Sequence, residues 1–228
     1  MTKFETIIFD MDGTLIDGVD PETGQSVDVH REAWKRAFKE SGLEFNSELH
    51  RTKIRGRTYP EIDATLQEVY GLSSGVSVAE AKRQLYITEG IDTYVALLPG
   101  VEETLTRLQA EGYKLALLTN AKREETDRVI NKLELDRFFG SDTLTLTEVL
   151  ADGQDGKPDP YGLNRMIQIL GATTEKTVFV GDTTTDMKTA KNAGISVIGY
   201  SHAVPAEELE AAGATMVIKS FQGVLTLV

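Results

Sequence analysis

Four short apolar runs along the chain each end at a polar residue or a glycine. The runs are Thr6–Phe9 before Asp10, Lys114–Leu118 before Thr119, Thr177–Val180 before Gly181, and Ile195–Ile198 before Gly199. Each is four or five residues long and almost entirely apolar, which is typical of parallel strands buried on both faces of a sheet. Segments with helical periodicity lie between them. The sequence therefore predicts an α/β protein with a parallel sheet flanked by helices.

Two of the intervening segments carry signals for the start of a helix. Val101–Glu111 follows a Pro-Gly pair and places its apolar side chains on one stripe. Tyr161–Leu170 follows Asp159, an N-cap residue, and a proline at the first helical position. Both segments are predicted to be helices that cover the sheet.

The alternation of strands and helices is interrupted between about Asp17 and Leu97, where we find no convincing buried strand. Helical periodicity within this stretch covers Val29–Ser41, Tyr59–Tyr70 and Val78–Leu98. The sequence therefore predicts that residues 1–17 and 97–228 form an α/β core and that residues 18–96 form an inserted helical domain.

The composition is that of a globular protein, and it excludes several classes of site. Among the 228 residues, 40% are hydrophobic and none is cysteine, which excludes a disulfide framework, a thiolate zinc site and a cysteine nucleophile. The net charge of −12 argues against general binding to nucleic acid or to an anionic membrane. The N-terminus lacks the pattern of a signal peptide, and no run approaches the roughly 20 apolar residues of a membrane span. We expect a cytoplasmic protein.

Polar side chains follow the predicted strands at their carboxyl ends, which is where open α/β sheets bind ligands. These residues are Asp10, Asp12, Thr119, Asn120, Asp182 and Asp186, with Lys157 in a loop that leads into a helix. Several carboxylates in one place repel each other unless a cation lies among them, and an all-oxygen set favours Mg²⁺. Carboxylates, Mg²⁺, a lysine and a hydroxyl together suit phosphoryl transfer, with one nucleophile and the other groups neutralising charge.

Four motifs resemble those of the haloacid dehalogenase-like hydrolases, in that family's order and over essentially the whole chain. They are Asp10-Met11-Asp12-Gly13-Thr14-Leu15, Thr119-Asn120, Lys157-Pro158 and Gly181-Asp182-Thr183-Thr184-Thr185-Asp186. The resemblance implies a Rossmann-like parallel sheet flanked by helices, with residues 18–96 as an all-helical C1-type cap. We expect a monomer or homodimer that binds a small phosphorylated metabolite and neither nucleic acid nor membrane.

The resemblance also implies a catalytic role for each motif. Asp10 would attack phosphorus and form an aspartyl-phosphate. Asp12 would protonate the leaving oxygen and then deprotonate the attacking water, which requires a pKa nearer neutrality than that of an exposed aspartate. Thr119 would hydrogen-bond the transferring phosphoryl group, with Asn120 beside it as a second phosphate-binding residue. Lys157 would pair with the phosphoryl charge and with Asp10.

The cofactor implied by the same resemblance is Mg²⁺. It would be held by Asp10, the backbone carbonyl of Asp12 and Asp182, with Asp186 as a direct or an outer ligand. A purely structural interpretation exists for several of these residues. Asp182 and Asp186 could cap the following helix, a role they can hold as well, and Lys157 could be a solvated loop lysine.

The helical insert carries the candidate substrate contacts. The candidates resemble segments of the beta-phosphoglucomutase-like branch of the family: His30 and Trp34 its first cap helix, Arg55 and Arg57 its specificity loop, and Lys82 and Tyr86 a further helix. Two arginines on such a loop could grip a second anionic group of the substrate. Alternatively, Trp34 is a core residue of the cap, His30 belongs to a polar face at the N-terminus of its helix, and the arginines belong to a solvated loop.

Two departures favour a phosphatase over a sugar-phosphate mutase. Tyr59 stands where the mutase branch has a phosphate-gripping arginine, and the last motif begins with Gly181 where the mutase has the first residue of an acidic pair. We therefore predict a Mg²⁺-dependent phosphatase that acts on a phosphoglycolate-like or sugar-phosphate-like monoester, with the mutase as the alternative. A non-catalytic phosphate- or partner-binding module is the alternative of another class, but such a module does not need both Asp10 and Asp12.

Overall fold

The computed structural model describes residues 4–54, 59–73 and 77–228. The chain divides into two compact units, a core unit of Met1–Asp17 and Ala96–Val228 and a helical unit of Gly18–Val95. The helical domain expected from the sequence, residues 18–96, extends one residue further at its C-terminal boundary than the helical unit does.

Eight strands lie within the described residues, and six of them form one parallel sheet. The strands are β1 Thr6–Phe9, β2 Ile16–Gly18, β3 Val95–Leu97, β4 Lys114–Leu118, β5 Thr143–Leu144, β6 Thr177–Gly181, β7 Ser196–Tyr200 and β8 Met216–Ile218. The large sheet has the order β5-β4-β1-β6-β7-β8, and β2 pairs with β3 in a separate two-stranded sheet. The predicted α/β architecture with a parallel sheet is therefore confirmed.

Helices connect the strands of the core unit and account for most of the helical unit. Over the described residues they are α1 Val29–Glu40, α2 Ser47–Leu49, α3 Tyr59–Tyr70, α4 Val78–Leu85, α5 Ile91–Tyr94, α6 Val101–Ala110, α7 Arg123–Leu133, α8 Asp136–Phe139, α9 Leu146–Ala151, α10 Tyr161–Ile169, α11 Thr184–Ala193, α12 Ala206–Ala212 and α13 Val224–Leu227. Each of these helices is too short or too polar to cross a membrane. Two π-helical turns, His50–Ile54 and Tyr86–Gly90, follow α2 and α4.

The large sheet is stabilised by apolar side chains on both of its faces. Ile8 of β1 and Phe179 of β6 are fully buried and belong to one cluster with Leu163 of α10 and Met187 of α11. Burial of each such side chain stabilises the fold by roughly 1.5–3 kcal/mol.

Strand β1 lies between β4 and β6, with Phe9 opposite residues of both neighbours. Later strands therefore add to both sides of β1. The carboxyl end of β1 lies at the topological switch point, where such sheets bind ligands.

The helical unit has a separate hydrophobic core. Its buried residues come from α1, the π-helical turn after α2, α3 and α4, and include Trp34, Phe38, Ile54 and Leu66. The ring of Phe38 meets that of Tyr70 edge to face, with centroids 5.9 Å apart. The insert therefore has enough buried apolar surface to form a compact unit from contiguous chain.

One predicted helix ends earlier than its periodicity indicates. The pattern predicts a helix over Val78–Leu98, but helical structure ends at Tyr94 and the next three residues form β3. The apolar residues at this end satisfy a helical pattern and a strand pattern equally, and the pairing of β3 with β2 decides between them. The stretch expected to lack strands thus has a short strand at each of its ends.

One predicted strand is displaced, and two edge strands were missed. The strand expected at Ile195–Ile198 runs from Ser196 to Tyr200. The backbone N–H of Ile195 donates to the carbonyl of Ala190 at the end of α11, so Ile195 belongs to the exit of that helix. Strands β5 and β8 have only two and three residues, too few to give a periodic signal.

Candidate active site

Asp10 directly follows β1, and a lysine from a distant loop contacts its side chain. The Lys157 ammonium donates to Asp10 Oδ1 at 2.5 Å and to Asp186 Oδ1 at 2.6 Å. The three side chains are only 7%, 8% and 1% exposed for Lys157, Asp10 and Asp186. Lys157 is therefore a buried partner of two carboxylates and not the solvated loop lysine of the structural interpretation.

Asp182 directly follows β6 and completes a group of three buried carboxylates. One oxygen each from Asp10, Asp182 and Asp186 lies within 4.8 Å of the other two. The Thr14 hydroxyl donates to Asp182 Oδ1 at 3.0 Å and holds this carboxylate in place. No role for Thr14 was predicted, because a contact between residues 168 positions apart has no local sequence signal.

Asp186 caps a helix, as the structural interpretation has it, and also contacts Lys157. Its predicted role as a metal ligand stays a prediction. Its Oδ2 accepts hydrogen bonds from the backbone N–H and the hydroxyl of Thr183, at 3.0 and 2.5 Å, which forms a capping box at the start of α11. Its Oδ1 accepts the bond from Lys157. The helix cap thus fixes the carboxylate that orients the lysine.

The close approach of the first motif to Asp182 requires a glycine. Gly13 has φ +78°, and a Cβ atom at this position would lie 2.2 Å from Asp182 Oδ2. Both the left-handed backbone and the lack of a side chain are therefore needed here. The first and last motifs come into contact at this point.

The site has more negative charge than its lysine can balance. Burial raises the pKa of Asp10 well above its usual value, although the Lys157 charge acts in the opposite direction. Burial and the nearby Asp186 raise the pKa of Asp182 to about 7. Burial alone would lower the pKa of Lys157, but the charges of Asp10 and Asp186 outweigh it and raise that pKa. Three buried oxygen ligands with excess negative charge fit a divalent cation such as Mg²⁺.

Asp12 and Thr119 belong to the first and second motifs but are not members of this group. The side chain of Asp12 is exposed and does not belong to the group of three buried carboxylates. The predicted metal contact through its backbone carbonyl stays a prediction.

Thr119 is buried at the end of β4, where its Oγ1 accepts a bond from the Ala121 backbone N–H at 3.0 Å. The Thr119 hydroxyl keeps its own proton to donate.

The side chain of Asn120 is engaged with the loop that carries Lys157. Asn120 Oδ1 accepts from the Lys157 backbone N–H at 2.9 Å, and Asn120 Nδ2 donates to the Lys157 carbonyl at 3.0 Å. Both polar groups of the Asn120 side chain are therefore bonded to Lys157, and its predicted contact with phosphate stays a prediction.

The candidate substrate residues of the helical unit have different environments. Trp34 is 5% exposed and packs in the core of the unit, which agrees with its interpretation as a packing residue. His30 is exposed to solvent, stacks on Tyr86 with centroids 4.2 Å apart, and accepts a bond at Nδ1 from the buried Lys82 ammonium at 2.8 Å. Because the Lys82 ammonium can only donate, Nδ1 is the acceptor, and the proton of the neutral ring is on Nε2. Desolvation by neighbouring protein atoms and the Lys82 charge lower the pKa of His30, which agrees with a neutral ring.

The two candidate arginines of the specificity loop, Arg55 and Arg57, lie outside the described residues. Their predicted contact with a second anionic group of the substrate stays a prediction.

The chain is similar to known proteins in sequence and in structure. A family model described as haloacid dehalogenase-like hydrolase matches residues 4–194. The phosphoglycolate phosphatase of Pseudomonas syringae pv. tomato is 31% identical over 216 residues, which cover 89% of this chain and 72% of that protein. The phosphorylated carbohydrates phosphatase of Thermotoga maritima is 29% identical over 94% of each chain.

A solved structure from Haemophilus somnus 129PT, described as a predicted phosphoglycolate phosphatase, superimposes with a TM-score of 0.79 at 25% identity. It covers 100% of this chain and 99% of the other.

Proposed function

Because the chain belongs to the haloacid dehalogenase-like hydrolases, we propose that it is a Mg²⁺-dependent phosphatase that hydrolyses a small organic phosphomonoester through an aspartyl-phosphate on Asp10. The observation that carries this proposal is the buried group of Asp10, Asp182, Asp186 and Lys157 at the switch point of the sheet. A purely structural group would not concentrate three carboxylates around one lysine without a compensating cation. The phosphatase relatives support the same reaction class.

The first step is attack by an Asp10 carboxylate oxygen on the substrate phosphorus. Lys157 orients the nucleophile through Oδ1, and the Thr119 hydroxyl donates to the phosphoryl oxygens. The bond between phosphorus and the leaving oxygen breaks, and the leaving oxygen takes the proton of Asp12. The products of this step are an alcohol and the aspartyl-phosphate.

The second step is hydrolysis of the aspartyl-phosphate. Asp12, now a carboxylate, removes a proton from water as the water oxygen attacks phosphorus, and the bond to the Asp10 oxygen breaks to release inorganic phosphate. Asp12 thereby returns to its protonated form. Mg²⁺ held by Asp10, the backbone carbonyl of Asp12 and Asp182, with Asp186 as a direct or an outer ligand, would neutralise charge on the phosphoryl group.

The substrate class follows from the relatives and from the helical unit. The relatives act, by their names, on phosphoglycolate and on phosphorylated carbohydrates. We assign to His30 the recognition of a polar group of the substrate, because its neutral ring presents an N–H at Nε2 while Lys82 fixes Nδ1. A hydroxyl or carboxylate oxygen on the leaving group would accept that bond.

The experiment that tests the function measures phosphate release from 2-phosphoglycolate, glycerol phosphate and hexose phosphates, each with Mg²⁺ and with excess chelator. We expect release that depends on the metal. Asp10→Asn should abolish it, whereas Asp127→Asn, which changes an exposed aspartate on α7, should not. Acid quenching of the wild type with labelled substrate should leave labelled phosphate on the protein.

Other outcomes would identify the alternatives. Interconversion of hexose phosphate isomers without release of phosphate would indicate the mutase. Phosphate release by Asp10→Asn at the wild-type rate would show that Asp10 is not the nucleophile. Binding of phosphate without any turnover would indicate a non-catalytic module.

A further inference from the structure

Lys157 starts from a loop without regular secondary structure, between α9 and α10. Its ammonium nevertheless stands within 2.6 Å of two carboxylates that belong to different elements. A lysine side chain has four rotatable bonds and adopts many rotamers, so its position depends on how firmly its backbone is held. The contacts of the two peptide groups of Lys157 therefore determine where its ammonium lies.

Asn120 contacts both peptide groups of Lys157. Its carboxamide oxygen accepts from the Lys157 N–H at 2.9 Å, and its carboxamide nitrogen donates to the Lys157 C=O at 3.0 Å. An asparagine side chain has one acceptor and one donor group in a rigid plane, and here each meets its complement on a single residue. Because Asn120 follows the buried end of β4, the contact joins the loop to the sheet beside β1.

The residue before Lys157 gives an independent indication of the same contact. A Cβ atom at Gly156 would lie 2.7 Å from Asn120 Oδ1 and 2.6 Å from Leu146 Cδ1. Any side chain at position 156 would therefore push the loop away from Asn120. The loop sequence and the asparagine are matched to each other.

We propose that Asn120 is a positioning residue that fixes the backbone of Lys157 and thereby places the Lys157 ammonium between Asp10 and Asp186. The proposal rests on the proposed function in so far as Lys157 serves the phosphoryl transfer. It gives the Asn120 carboxamide a role through Lys157 in place of direct contact with phosphate.

The first test is a double-mutant cycle on kcat/KM for the best phosphomonoester. Loss of both hydrogen bonds in Asn120→Ala should lower kcat/KM by about 10- to 100-fold. In a Lys157→Ala background the same change should cost less than about 2-fold, because a residue that acts through Lys157 has nothing left to position. Full additivity of the two losses would show direct contact with the substrate and would overturn the proposal.

Asn192, on α11, supplies a matched control because its side chain contacts the same loop. Its Nδ2 donates to the carbonyl of Pro158 at 3.0 Å, one residue beyond Lys157. Asn192→Ala should change kcat/KM by less than about 2-fold, because it leaves both peptide groups of Lys157 bonded. A loss equal to that of Asn120→Ala would mean that general rigidity of the loop matters, and the specific role of Asn120 would be refuted.

The second test does not depend on turnover. Acetic anhydride modifies exposed amines, and peptide mass spectrometry gives the modification rate of Lys157 alone. The buried, doubly paired ammonium should react slowly in the wild type and in Asn192→Ala, and at least about 10-fold faster in Asn120→Ala.

Asn120→Asp, which has the same shape but lacks the donor, should give an intermediate rate. Unchanged protection of Lys157 in the folded Asn120 variants would overturn the proposal, whereas absent turnover in the wild type would count only against the phosphatase.

Discussion

Substitution of Gly13 by alanine should disrupt the proposed metal site and lower the stability of the fold. Alanine in the left-handed region costs about 1–2 kcal/mol, and φ at this position is +78°. The added Cβ would also lie 2.2 Å from Asp182 Oδ2, where an ordinary contact is 3.4 Å or longer. The Asp182 carboxylate must therefore move by about 1 Å, beyond the few tenths of an ångström that metal coordination tolerates.

The consequences of that movement can be given magnitudes. Displacement of Asp182 breaks the buried hydrogen bond from Thr14, which adds about 1–3 kcal/mol to the loss of stability. A misplacement of about 1 Å in a catalytic group typically lowers activity by about 100-fold. We expect Gly13→Ala to lose about 2–5 kcal/mol of unfolding free energy and to need much more Mg²⁺ for its residual activity.

Gly153 provides the control for the backbone term. Its φ is +73°, and nothing lies within 4 Å of a Cβ built on it, so Gly153→Ala introduces the left-handed alanine without a collision. Urea unfolding gives the stability of both variants, and kcat/KM as a function of Mg²⁺ concentration gives the state of the site. If Gly13→Ala matched Gly153→Ala in stability and kept the wild-type dependence on Mg²⁺, the argument from close approach would be wrong.

Three further predictions concern the core, one ion pair and the metal. Leu66→Ala in the core of the helical unit should cost about 2–5 kcal/mol in urea unfolding, whereas Val69→Ala, at a residue 47% exposed, should cost less than about 0.5 kcal/mol. Burial alone would raise the pKa of Glu148. The hydrogen bonds that its carboxylate accepts from Arg123 and Thr145 outweigh this effect and lower the pKa to about 2. The stability lost in Glu148→Gln, about 1–2 kcal/mol at neutral pH, should therefore be constant above pH 4.5 and shrink as the pH falls towards 2. Saturating Mg²⁺ should raise the Tm by about 5–10 °C in a thermal shift assay, and Asp182→Asn should remove most of this increase.

The sequence predicts the central strands best, because burial on both faces leaves an uninterrupted apolar run. Thr6–Phe9 and Lys114–Leu118 are strands over the predicted residues. The edge strands β5 and β8 could not be predicted in this way, because two and three residues are too few to form a recognisable apolar run. At the junction near Tyr94 an apolar segment suits either structure, and only the pairing with a distant strand decides.

The candidate site follows the same division between local and distant information. Asp10 and Asp182 could be placed at strand ends because they follow apolar runs directly or after one glycine, and Asp186 belongs to the same motif as Asp182. The hydroxyl of Thr14 on Asp182 and the carboxamide of Asn120 on the loop of Lys157 could not be predicted, because each depends on the angle at which two separate segments meet. Trp34 is buried in the helical unit, as the packing interpretation of its helical spacing has it.

The central position of β1 has a consequence for how the chain is made. Thr6 pairs with Lys114 and with Thr177, so β1 leaves the ribosome long before either of its two partners is synthesised. The helical unit, Gly18–Val95, is contiguous and can complete its own core in that interval. Both edges of an apolar strand stay unpaired until β4 emerges, and one edge until β6 does, so that nascent chains stalled before Thr177 present an open edge to other molecules.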